Sequence, residues 1–116
     1  MIVAVKAAEL NPESYDAAQQ KAYAAFLLAR RLPQKSRGQR LNEGLLAIEQ
    51  GIKVKADSGP LLALRAVLLH ALASARKGPV DQVDLQRRAE DSWRQALAIN
   101  PLLEKEYGPY LRDPWR

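Results

Sequence analysis

A phrase that the chain uses twice limits its architecture more than any other feature. Ala7-Ala8-Glu9-Leu10-Asn11-Pro12 returns at positions 96–101 as Ala96-Leu97-Ala98-Ile99-Asn100-Pro101. A degenerate copy, Gly51-Ile52-Lys53-Val54-Lys55-Ala56-Asp57, falls between them. Self-similarity at a fixed spacing marks stacked repeats, in which one unit cannot bury its own apolar face and leans on the next. The unit here spans about 45 residues, and Ala29-Arg30-Arg31-Leu32-Pro33 lies in register over Ala75-Arg76-Lys77-Gly78-Pro79. Chains of this kind bind more often than they catalyse.

The apolar residues are mostly Ala and Leu, with a single Phe, which favours helix over sheet. The punctuation predicts a short helix over Met1–Leu10, then helices over about 12–31, 39–55, 60–77 and 83–99. Pro12 suits a first helical position behind Asn11, Glu13 suits the positive end of the dipole, and Arg30 and Arg31 suit the negative end. Pro33 forbids continuation. Ser58 or Gly59 with Pro60 repeats that grammar, and Gly78-Pro79 closes it. Asn100-Pro101 opens a terminal helix expected to run out near Tyr107-Gly108-Pro109, leaving a tail whose Leu111 and Trp115 fold back as a cap. Longer loops are expected at Leu32–Gly38 and Lys77–Asp84.

Absent residue types remove whole chemistries. With no cysteine there is no disulfide framework, thiolate metal site or Cys nucleophile, and a cytoplasmic location is expected. No apolar run approaches a bilayer span, because Arg65 and His70 interrupt the longest. Met1–Val5 is too short for a signal peptide. His70 is the one histidine; with Ser74 a turn later it has neither an orienting carboxylate nor a nucleophile elbow, so a packed histidine is expected. Neither a metal site nor a cofactor-binding loop is expected, and the chain reads as a non-enzyme.

Ala89-x3-Trp93-x2-Ala96-x4-Pro101 resembles the second half of a tetratricopeptide repeat, where small residues let two helices approach and an aromatic fills the gap between hairpins. Gly44-x3-Ile48-x2-Gly51 keeps the spacing with Ile for the aromatic, and Ala7-x4-Pro12 keeps the ending. The family's unit is about 34 residues, so these hairpins would carry longer loops, and the Trp…Leu-Gly…Tyr signature of the first helix is missing. The resemblance implies an all-α, short right-handed α-solenoid: a half-repeat over 1–12, hairpins over 13–56 and 57–100, and a capping helix over 101–116. Armadillo-like and HEAT-like helix pairs have a similar period. Opening the last helix with Asn-Pro-Leu-Leu also resembles the C-terminal repeat regions of some bacterial Ser/Thr kinases, which implies a sensory or scaffolding piece of a larger signalling protein.

Candidate binding residues come from two stripes. Arg65, Leu69, Leu72 and Arg76 share a helix face at i, i+4, i+7 and i+11, and their register-mates are Gln19, Tyr23, Phe26 and Arg30. In the family resembled, the first helix of each hairpin lines a concave groove. The resemblance thus implies a peptide groove with an apolar floor and cationic ends, suited to an acidic protein segment. Trp93 is expected in the core, and Tyr107, Tyr110 and Trp115 in the cap. Two other readings belong to other classes. The basic run Arg30, Arg31, Lys35, Arg37 and Arg40, within a net charge of +5, is the beginning of a nucleic-acid or polyanion footprint. The half-repeat at Met1–Leu10 could instead pair with the exposed end of another copy and build an array.

Overall fold

The computed structural model describes residues 12–75 and 79–115, with side chains placed for 16–75 and 82–115. The described residues are all-α: α1 Pro12–Arg31, α2 Gln34–Val54, α3 Gly59–Ala75, α4 Pro79–Ile99 and α5 Leu103–Arg112. The half-repeat expected over Met1–Leu10 and its Asn11 lie outside the described residues, as does Arg76. No described helix is long and apolar enough to cross a membrane.

Helices α1 and α2 are joined by Leu32-Pro33 alone. The expected loop to Gly38 is therefore corrected: Pro33, extended at ψ 151°, starts α2 at once, and Ser36 N–H donates to the Pro33 carbonyl at 2.9 Å. Arg37 seals the turn. Its single Nε–H is shared between the Ala29 carbonyl at 3.1 Å, which also accepts from Leu32 N–H at 3.2 Å, and the Leu32 carbonyl at 3.0 Å, adding a donor where the helix end has run out of its own. The expected loop to Asp84 is likewise shorter, since α4 already begins at Pro79. Ser58 caps α3 as the sequence suggests, its buried Oγ accepting from Leu61 N–H at 3.4 Å.

Helix α3 organises the molecule. Twelve of its seventeen residues are buried, because α1, α2, α4 and α5 all pack on it. A helix apolar all round has to sit inside a protein. Small residues bring the first hairpin together: a Cβ on Gly44 would lie 3.2 Å from Ala25 Cβ, and one on Gly51 would lie 3.0 Å from Ala18 Cβ. Ala89 and Ala96, their counterparts in α4, are buried too.

The expected end of α5 at Pro109 is also corrected. The helix continues to Arg112, with Pro109 on its exposed side. The last turn is held by tertiary contact: Tyr110 stacks edge-on against Phe26 with ring centres 5.1 Å apart. The expected cap therefore reaches the first hairpin rather than only the last. Trp115 lies against the Arg37 guanidinium, 4.2 Å from the ring centre.

Candidate functional site

Gln19, Tyr23, Phe26 and Arg30 face α5. Gln19 hydrogen-bonds Tyr107, whose deep burial pushes its phenol up to about 12. The Tyr23 hydroxyl shares a 2.8 Å hydrogen bond with that of Tyr110, which raises the Tyr23 pKa. Phe26 is fully buried, and the Arg30 guanidinium lies 5.8 Å from its ring centre and 5.7 Å from that of Tyr110. This face of α1 is occupied by the chain's own C-terminal helix.

The stripe on α3 looks elsewhere. Arg65, Leu69 and Leu72 line a depression of about 510 Å³ between α2 and α4. Leu69 and Leu72 form its floor and are nearly closed, at 1% and 3% exposure. Helix α2 adds Asn42, Leu45, Leu46 and Glu49, and α4 adds Leu85 and Arg88. The seven described residues of the expected eight are thus divided between two faces instead of sharing one wall, Arg76 lying outside the described residues. A common register across hairpins does not produce a common face here, because α3 has α4 packed along it, whereas the matching stripe of α1 is met, among the described residues, by α5.

Sequence reasoning missed the α2 and α4 sides of this depression. The signal was Leu45-Leu46: adjacent helical residues point about 100° apart, so a leucine pair on a one-sided amphipathic helix leaves one of them outward. Leu46 is 66% exposed, whereas Leu45 is packed against the core. Arg65 Nε comes within 3.2 Å of Glu49 Oε1, yet this buried nitrogen makes no hydrogen bond. Charge is matched and direction is not, so the pair balances the guanidinium without saturating it.

A second, smaller cleft of about 300 Å³ lies between α3, α4 and α5. His70 enters it from α3, Ala89, Glu90 and Trp93 from α4, and Glu104, Gly108, Leu111 and Arg112 from α5. Half-burial pushes the His70 pKa below its ordinary value of 6.5, so the imidazole is neutral at pH 7. Ser74 Oγ donates to the His70 carbonyl at 3.2 Å rather than to the ring.

The basic run is largely engaged within the chain. Arg30 covers two rings, Arg37 caps α1, and Arg40 pairs with Glu43 at 2.9 Å. Arg31 and Lys35 are exposed. Comparison with protein-family models, with curated proteins and with solved structures finds no match to this chain.

Proposed function

We propose that the chain is a protein-binding scaffold of helical hairpins in series, and that the depression over α3 receives an amphipathic, carboxylate-bearing segment of a partner protein. The serial arrangement is supported by the succession α1–α2, α3–α4 and the start of a third unit at α5. It is supported also by equivalent buried small residues, Gly44 with Ala89 and Gly51 with Ala96. On this reading the chain is a short solenoid of the tetratricopeptide type whose inner face is filled by its own tail, leaving the α2–α4 side for company.

One observation carries the proposal. Leu46 stands largely in water beside a leucine-floored depression, and burying such a side chain contributes roughly 1.5–3 kcal/mol. The charge around it favours an acidic visitor. Glu49 already balances Arg65, while among the described residues Arg88 has no ion pair or hydrogen bond. An apolar ridge followed by Asp or Glu would cover the floor and meet Arg88 and the open end of Arg65.

The test is selection from a displayed random-peptide library on the whole chain. Enriched sequences should carry two or three apolar residues at helical spacing beside a carboxylate. Their binding should vanish with Leu46→Asp and persist with Leu102→Asp, a change at an equally exposed leucine outside the depression. An unenriched pool, or peptides indifferent to Leu46→Asp, would overturn the reading.

A further inference from the structure

We propose that the cleft between α3, α4 and α5 binds an alkylammonium group, seated on the Trp93 ring with Glu90 and Glu104 supplying the countercharge. This is a separate site from the α2–α4 depression and does not rest on it.

The repeat explains why a cleft exists here. Trp93 occupies the position that Ile48 holds in the first hairpin, and Ile48 is fully buried under the seventeen-residue α3. Trp93 looks onto a cleft whose far side is α5, which has ten residues. Where Ile48 is closed in, the Trp93 ring is only partly buried, with a hollow beside it. Its size suits a group the length of a lysine side chain rather than a folded partner.

Charge then selects the ligand. The chain as a whole is at +5, yet this cleft carries two carboxylates against one guanidinium. Glu104 is held by Arg112 at 2.9 Å. Among the described residues Glu90 makes no hydrogen bond or ion pair, so its charge is available. The neutral His70 adds no repulsion and offers a ring nitrogen as acceptor. An indole face beside carboxylates attracts an ammonium through the ring quadrupole and through Coulomb attraction together.

Gly108 fits the same reading. Glycine within a helix costs about 1 kcal/mol against alanine, and here a Cβ would push the flexible Glu104 carboxylate out of its place. Its absence lets Glu104 lie along α5 at the cleft's edge, within reach of Arg112 one way and of a ligand the other.

The ammonium can come from a free amine or from a lysine of another protein, and the two are distinguishable. The whole chain is titrated with n-butylammonium, with Nα-acetyl-lysine methylamide and with n-butanol as the uncharged isostere, following the Trp93 indole resonance by NMR. Saturable shifts are expected with the cations and not with the alcohol. Binding of both cations identifies a lysine reader, and binding of n-butylammonium alone identifies a small-amine site. Glu90→Gln, at an exposed position, should weaken binding roughly tenfold. Arg112→Gln should tighten it by releasing Glu104. Equal response to n-butanol, no saturable shift with either cation, or indifference to both variants would overturn the proposal.

Discussion

Tyr23 and Tyr110, 87 positions apart, share a hydroxyl hydrogen bond of 2.8 Å at the junction of the first and last described helices. The bond lies at the edge of an aromatic group in which Tyr110 also meets Phe26 and Arg30. Polar and apolar parts of this contact separate by mutation. Tyr110→Phe keeps the ring and is expected to cost about 1 kcal/mol. Tyr110→Ala removes the ring from Phe26 and should cost about 3 kcal/mol. Urea denaturation read by circular dichroism gives both values, and equal costs would mean that the ring contact contributes nothing.

Arg37 joins a helix end to the tail. Arg37→Ala should leave the Ala29 and Leu32 carbonyls without this donor and free Trp115, lowering stability by about 1–2 kcal/mol. Arg37→Lys should rescue little, because an ammonium cannot both stack as a plane and donate from Nε. A red shift of Trp115 emission in a Trp93→Phe background reports the loss of its seat. Full rescue by lysine would show that charge alone is used.

Two glycines of α2 should answer alanine oppositely. Among the described residues a Cβ on Gly38 meets only Leu72 Cδ1, at an ordinary 3.8 Å, so Gly38→Ala should stabilise by about 0.5–1 kcal/mol. A Cβ on Gly51 meets Ala18 Cβ and Leu61 Cδ1, both at 3.0 Å. The methyl of Ala18 has no side-chain torsion with which to yield, so Gly51→Ala should destabilise by about 1–3 kcal/mol despite the propensity gain. Thermal melts of the two variants decide the matter, and the same sign for both would refute it.

His70 makes stability sensitive to mild acid. Its pKa is depressed by burial in the folded state, so below 6.5 the unfolded chain takes up protons that the folded chain refuses. The stability it contributes is complete above 6.5 and is lost as pH falls toward the folded value. His70→Gln should flatten the melting temperature across that window relative to the parent chain. An identical pH profile in both proteins would remove His70 as the cause.

Helix ends marked by hard rules were legible in the sequence. Arg30-Arg31 and Ser58-Gly59-Pro60 each delimit a helix where steric and capping chemistry puts the limit, and Pro12 is the first described residue of α1. Gly38 and Pro109 misled, because each breaks helices only when nothing else holds them. Gly38 faces Leu72 of α3, and Pro109 is followed by Tyr110 and Leu111, both packed against the core. Which face of α1 or α3 meets which neighbour was not legible. Gln19, Tyr23, Phe26 and Arg30 match Arg65, Leu69 and Leu72 in spacing, but facing is decided by α5 and α4, distant in sequence. The exposed Leu46 was within reach of the pattern, and the Trp93 cleft was not, since it is assembled from residues of α3, α4 and α5.

Phe26 is completed by a ring from the far end of the chain, and Arg37 by another. Modules strung along an open rod can peel away one by one, each with a midpoint of its own. Clasping the outer described helices together forbids that: loosening α5 uncovers α1, so denaturation of this part should proceed as a single all-or-none event with coincident curves from every probe.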